Sequence, residues 1–372
     1  MLTPKFISLD TSQIGDWIRD YYSDEAKERE EARKFQTWLA DNQYVLFLTF
    51  DHIEELLQHD NQSVARGRLT FLWGQQILAW VGSEHEGAIS GVTTILASEL
   101  RTALSDPSAA QFDITQKAFR RFLRVGTGAE MLGPTPEVWM LLRPYFADRA
   151  QQAMQVTGIA DSSVVDMADV PIRRLVQGGL RSGRRLTRQL DVMQGSIASD
   201  LVAHGDHRIP DASGTAANFM AEVEIMGQSL PQNNAREFVL DALRRMHILE
   251  EDIWHNATVG EILEWGEFLK QAHIVAPEIP IASVKKIPFD RIPSALISRQ
   301  IRKHQPISLR RSGSNLNDRH LACLSAYADV LFVDKRTHEA FRRARQSSYA
   351  MQNFCRRIEK TTNYKLIPTI LK

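Results

Sequence analysis

Short apolar runs, each followed by an aspartate, are the clearest feature in the pattern of hydrophobic and polar positions along the chain. The runs are 6–9, 45–50 and 330–333, and the aspartates that follow them are Asp10, Asp51 and Asp334. Runs of this length, rich in β-branched and aromatic residues, predict buried strands, and the helical spacing after each run predicts a helix. This order is typical of an α/β fold with a central parallel sheet.

The same pattern divides the chain into three parts. Residues 1–84 and 287–372 alternate predicted strands with predicted helices, whereas 85–286 consists of long segments with the 3.6-residue period of helices. One helix start in this middle part carries a capping box, formed by Thr258 and Glu261. The sequence therefore predicts an α/β domain made from the two ends of the chain, interrupted by a large all-helical insertion or second domain.

Charge is balanced overall but unevenly distributed. The 372 residues include 45 Lys and Arg and 45 Asp and Glu, so the formal net charge is zero. Residues 1–60 carry 13 acidic and 6 basic side chains, whereas 301–372 carry 15 basic and 5 acidic ones. The asymmetry fits a phosphate-binding face at the basic end, and it equally fits pairing of the two ends within one domain.

Cysteine content and hydropathy indicate the compartment. The two cysteines, Cys323 and Cys355, form neither a disulfide framework nor a CxxC motif, which favours a reducing environment. The longest apolar run is about seven residues, whereas a helix that spans a bilayer needs about 20. The first residues do not have the shape of a signal peptide. We expect a soluble cytoplasmic protein without a membrane partner.

Acidic residues beside the predicted strands suggest the chemistry. Residues just beyond the carboxyl ends of parallel strands meet in one crevice, so Asp10 and Asp334 are expected to lie close together. Asp318 lies at the start of the predicted helix that leads into the strand before Asp334. At this position Asp318 either faces the same crevice or serves only as a helix cap. After the second strand, Asp51 suits a cap and Glu55 lies one turn further on. Clustered carboxylates repel one another, and a divalent cation is their usual compensation.

Four short motifs in the chain resemble those of the PIN-like nucleases. They are Asp10-Thr11-Ser12, Glu55-Leu56, Asn317-Asp318 and Asp334-Lys335-Arg336, in the family's order and at its places relative to strands and helices. The resemblance implies a three-layer fold with a central parallel sheet and an acidic site that binds Mg²⁺ or Mn²⁺ and cleaves mostly RNA. The residues implied as catalytic and metal-binding are Asp10, Glu55, Asp318 and Asp334. The resemblance covers only the two ends of the chain, and the middle part is a departure from a minimal domain of this family.

Substrate contacts are predicted from basic and hydroxyl side chains near the acidic positions. The basic candidates are Arg311, Lys335, Arg336, Arg342 and Arg343, and the hydroxyl candidates are Ser12 and Ser314. Such side chains bind backbone phosphates in complexes with nucleic acids. The basic residues also fit an ordinary solvated helix face, and the serines also fit turn or capping positions.

Three hypotheses for function follow from the sequence. The first is a metal-dependent phosphodiesterase, an endoribonuclease that uses Mg²⁺ or Mn²⁺ and acts on RNA rather than DNA. The second is a catalytically inactive nucleic-acid-binding or regulatory module with the same fold. The third is a metal-dependent phosphatase, but the second acid of its usual DxD motif is missing from Asp10-Thr11-Ser12. In each case the helical insertion offers a surface for a protein partner or for self-association.

Overall fold

Six strands form one sheet in the computed structural model of the chain, which describes residues 4–83, 87–160, 168–177, 184–228, 235–305 and 315–372. The strands are β1 Lys5–Ser8, β2 Tyr44–Leu48, β3 Leu78–Val81, β4 Leu123–Gly126, β5 Val330–Val333 and β6 Arg357–Lys360. All of them are short, and β2, β3 and β5 are almost entirely buried, in keeping with their continuous apolar sequences.

The strands lie side by side in the order β4-β3-β2-β1-β5-β6. β1 pairs in parallel with β2, where Phe6 lies opposite Val45, and in parallel with β5, where Ile7 lies opposite Val330. The pairs β2–β3 and β5–β6 are also parallel, whereas the edge strand β4 runs antiparallel to β3. The chain order therefore reverses between β1 and β5, and open α/β sheets bind their ligands at such a reversal.

Helices make up most of the remaining described chain. In the first part they are α1 Thr11–Tyr21, α2 Ala26–Asp41, α3 Phe50–Leu57, α4 Gln62–Trp73, α5 Val92–Ser105, α6 Gln111–Phe122, α7 Gly128–Leu132, α8 Glu137–Leu141 and α9 Arg143–Ala160. They continue with α10 Ile172–Gln177, α11 Arg184–His204, α12 Ala212–Gln228, α13 Ala235–Arg245, α14 Val259–Val275 and α15 Ile281–Val284. The last are α16 Pro293–His304, α17 Asn315–Cys323, α18 Lys335–Ser347, α19 Tyr349–Phe354 and α20 Ile367–Ile370. Within the described ranges, no helix has both the length and the apolar character needed to span a membrane.

Each face of the sheet has its own hydrophobic core. Side chains alternate along a strand, so Ile7 and Leu46 point to one face while Phe6 and Phe47 point to the other. The first face packs against residues of α1 to α4, and the second packs against residues of α5, α6, α16, α17 and α18. The prediction of an α/β fold with a central parallel sheet is thus confirmed at the level of fold class, and the sheet is parallel except at β4.

The chain divides into two compact units. The first comprises Met1–Asp148, Lys286–Pro306 and Asn317–Lys372, and it contains the whole sheet. The second comprises mainly Arg149–Lys285 and is built from helices in its described residues. A small core of this second unit lies between α11 and α12 and includes Ile197 and Leu201.

The prediction that residues 85–286 form an all-helical segment is wrong at β4. This strand lies within that range, pairs with β3 and extends the sheet, so the first unit continues to Asp148 instead of ending near residue 84. The residues of β4 are half-buried or exposed and include Arg124, as suits an edge strand. They therefore carry no apolar run from which a strand could be predicted.

Candidate functional site

Asp10 and Asp334 cap the helices that follow two neighbouring parallel strands. Asp10 is the N-cap residue of α1, and its Oδ1 accepts a hydrogen bond from the backbone N–H of Ser12 at 2.8 Å. Asp334 is the N-cap residue of α18, and its Oδ1 accepts from the backbone N–H of Thr337 at 2.7 Å. Because β1 and β5 are paired in parallel, both carboxylates lie at the edge of the sheet where the strand order reverses.

Glu55 reaches the same edge from α3. Its carboxylate is hydrogen-bonded to the side chains of Thr11, in the first turn of α1, and Asn317, in the first turn of α17. Burial raises the pKa of Glu55, and the negative charge of Asp10 adds to this effect. Glu55 therefore links the starts of two helices that are far apart in the sequence.

Asp318 lies in the first turns of α17 and interacts with the other three carboxylates. Burial raises the pKa of Asp318 to about 7, and the negative charge of Asp334 contributes next. Asp10 and Glu55 act in the same direction, more weakly. Arg336 opposes them, since its Nη2 lies 3.2 Å from Oδ2 of Asp318. The structure thus brings the other three predicted acidic residues within electrostatic range of Asp318.

The chemistry of these donors suits a hard divalent cation. Mg²⁺ and Mn²⁺ bind carboxylate oxygens. A bound cation would offset both the mutual repulsion and the unfavourable burial of negative charge, which raise the pKa values of Glu55 and Asp318. Across the described ranges, no three His, Cys, Asp or Glu side chains are already grouped as they are around a metal ion. Cation binding would therefore have to draw the four carboxylates closer together.

Two of the predicted basic residues lie beside this acidic cluster. Lys335 and Arg336 form the first turn of α18, directly after Asp334. Lys335 is exposed, and Arg336 forms the ion pair with Asp318. Ser12 is also at the cluster, where its hydroxyl donates to Oδ1 of Asp10.

The other predicted substrate-binding residues are not brought to the cluster by the described structure. Arg342 and Arg343 lie two turns further along α18, roughly 10 Å from its start, and both pair with Glu339 on the exposed helix surface. This arrangement agrees with the alternative interpretation of the sequence, in which Arg342 and Arg343 lie on an ordinary solvated helix face. Ser314 and Arg311 lie outside the described residues.

A second close pair of titratable side chains, Asp51 and His320, was not predicted from the sequence. β2 ends at Leu48 and α3 begins at Phe50 with Thr49 as its N-cap residue, so Asp51 lies inside the helix instead of capping it. Its Oδ1 is 2.8 Å from Nδ1 of His320 on α17. Burial tends to raise the pKa of Asp51, but the charge and hydrogen bond of His320 lower it to about 2. The pair joins α3 to α17, the helices that carry Glu55 and Asp318.

His52 fixes the position of the end of β1 relative to α3. This buried imidazole accepts a hydrogen bond from the backbone N–H of Thr49 through Nδ1, at 3.0 Å. Its Nε2 donates to the carbonyl oxygen of Leu9 at 3.1 Å. Leu9 immediately precedes Asp10, so His52 holds the backbone from which the Asp10 carboxylate projects.

Comparisons of the chain with protein-family models, with curated proteins and with solved structures found no match.

Proposed function

We propose that this protein is a metal-dependent nuclease with a PIN-like fold that hydrolyses phosphodiester bonds, with RNA as its substrate. The observation that carries the proposal is the electrostatic interaction of four carboxylates at the edge where the strand order reverses. These are Asp10, Glu55, Asp318 and Asp334. Clustered acidic side chains at this place suit a cation-dependent reaction on an anionic substrate.

In this proposal the four carboxylates hold Mg²⁺ or Mn²⁺. Such an ion supplies Lewis-acid activation of a water nucleophile and neutralisation of charge on the phosphate. The protein's part is to keep the carboxylates in place. The helix N-termini orient Asp10 and Asp334, and hydrogen bonds from Thr11 and Asn317 orient Glu55.

Lys335 and Arg336 are the phosphate-binding residues of the proposed site. Both lie in the first turn of α18, next to Asp334. Arg336 pairs with Asp318 in the described structure. With a cation held by Asp318, the guanidinium of Arg336 would lie where a substrate phosphate could bind it, and arginine binds phosphate strongly.

The ion pair between Arg336 and Asp318 also favours a second candidate function. If the guanidinium serves as the permanent counter-ion of Asp318, the domain needs no metal and acts as a nucleic-acid-binding or regulatory module. Under this alternative Lys335 and neighbouring basic groups bind the phosphate backbone without cleaving it.

One assay separates the two functions. Purified protein is incubated with end-labelled single-stranded RNA, and with DNA of the same sequence, in Mn²⁺, in Mg²⁺ and in chelator. We expect RNA to be shortened with either ion and to stay intact in chelator. Asp318→Asn, purified in parallel, should lose cleavage by orders of magnitude and thereby exclude a contaminating nuclease. Bound but intact RNA under all conditions would establish the second function instead.

A cytoplasmic location is part of the proposal. Cys323 and Cys355 are both free and buried. Unpaired buried cysteines are typical of proteins in a reducing compartment, where they serve as small apolar residues.

A further inference from the structure

Arg68 on α4 lies beside the acidic cluster, at a place that the sequence does not single out. Its Nη1 donates a hydrogen bond to the carbonyl oxygen of Leu56 at 3.1 Å, next to Glu55 in the chain. Its Nη2 lies over α1 at Gly15, where an added Cβ would be only 3.0 Å away. The guanidinium therefore occupies space that exists because residue 15 has no side chain.

The remaining donors of this guanidinium are not used within the described part of the chain. The Nε atom is buried and has no hydrogen-bond partner there, and the Nη1 bond to Leu56 is its one hydrogen bond in these residues. Charged donors are unfavourable when they are buried without a partner. The nearby negative charges are those of Asp16 and Glu55, which interact with Arg68 without forming an ion pair at short range.

The position of Arg68 complements that of the basic residues already described. Lys335 and Arg336 follow β5, on one side of β1, whereas α3 and α4 follow β2, on the other side. A single strand of nucleic acid that crosses the acidic cluster would thus meet positive charge at both sides of β1. Arginine is suited to this role because its planar fork binds two phosphate oxygens at once.

We infer that Arg68 binds a backbone phosphate of a single-stranded RNA substrate on the β2 side of the acidic cluster. This inference rests on the proposed function, and it assigns to the site a second phosphate-binding position, separate from Lys335 and Arg336. A purely structural role, in which Arg68 only ties α4 to the end of α3 through Leu56, predicts a loss of stability and no effect on RNA affinity.

The test compares Arg68→Gln with Arg66→Gln. Arg66 is exposed on the same helix, two residues away and so on a different face, which makes it a matched control for charge. Binding of fluorescently labelled single-stranded RNA is measured by anisotropy in chelator, so that no cleavage occurs, over a series of KCl concentrations. Removing one ionic interaction with a phosphate of a single strand should reduce the slope of log affinity against log salt concentration by about 0.7.

We expect Arg68→Gln to weaken binding about tenfold and to reduce the salt slope, whereas Arg66→Gln should leave the slope unchanged. Arg68→Lys should recover part of the affinity because it keeps the positive charge. The recovery should be incomplete because lysine lacks the planar guanidinium that binds two phosphate oxygens. An Arg68→Gln variant whose affinity and slope equal those of Arg66→Gln would overturn the inference, and a lower melting temperature alone would assign Arg68 the structural role.

Gly15→Ala tests the same interaction without removing Arg68. Alanine raises helix propensity by about 1 kcal/mol, so α1 should remain folded. Its Cβ displaces Nη2, and we expect a smaller loss of affinity in the same direction as for Arg68→Gln.

Failure of the proposed function gives a different result. In that case the wild type binds RNA and Arg68 contributes to the salt dependence of the affinity, but the RNA is never cleaved. A wild type that binds no single strand would contradict both.

Discussion

Asp318 illustrates how burial and neighbouring charge act on a single residue of the site. Its pKa is raised to about 7, first by burial and then by Asp334, and the ion pair with Arg336 compensates only partly. An aspartate in an unfolded chain titrates near pH 3.9. Between these two values the folded protein retains the proton and the unfolded chain has released it, so the free energy of unfolding falls as pH rises.

Replacing Asp318 with asparagine should therefore change stability in a pH-dependent way. Asparagine keeps the shape and removes the titration, so we expect Asp318→Asn to be more stable than the wild type at pH 8 by a few kcal/mol. The gain should shrink to a few tenths of a kcal/mol near pH 4, where the wild-type carboxyl is protonated in the folded state and about half protonated in the unfolded chain. Urea unfolding in chelator at both pH values measures the difference. Asp41→Asn, at an exposed position, serves as the control, and a gain that is equal at both pH values would contradict the assigned cause.

At the level of secondary-structure elements, the sequence predicts features that depend on neighbouring residues and misses contacts between residues that are far apart in the chain. Asp10 and Asp334 could be placed correctly because an apolar strand followed by a capping aspartate is a local signal. The pairing of Asp51 with His320 could not be predicted, because the two residues are 269 positions apart and neither has a motif. Arg68 was missed because no motif marks it, and the space that its guanidinium occupies depends on the absence of a side chain at Gly15.

The connection between β1 and α3 depends on one buried side chain. His52→Ala removes the hydrogen bond to Leu9 and leaves a cavity in the core, and we expect the free energy of unfolding to fall by about 2–4 kcal/mol. Urea denaturation at pH 8 measures the loss. The exposed His255→Ala should change stability by less than about 0.5 kcal/mol. An equal effect of the two substitutions would show that His52 does not hold β1 in place.

Across the whole molecule, the sheet brings the two ends of the chain together. β1 from the beginning of the sequence lies between β2 and β5, and Lys365 near the end lies 2.8 Å from Asp20 in α1. Part of the charge asymmetry is thus explained by pairing between the ends, as one of the two interpretations of the sequence expects. The α/β fold follows from the alternation of elements, but β4 had no local signal, and the division into units at Asp148 depends on its pairing with β3.

The central claim is that four carboxylates, contributed by both ends of the chain, act together as one divalent cation site. Isothermal titration calorimetry of Mn²⁺ into the wild type, Asp318→Asn and Asp41→Asn tests it most directly, because the readout does not depend on finding the right substrate. We predict that the wild type and Asp41→Asn bind Mn²⁺ with equal affinity and that Asp318→Asn binds at least about tenfold more weakly. A wild type that binds no Mn²⁺ at millimolar concentration, or an Asp318→Asn variant that binds it as tightly as the wild type, would contradict the account.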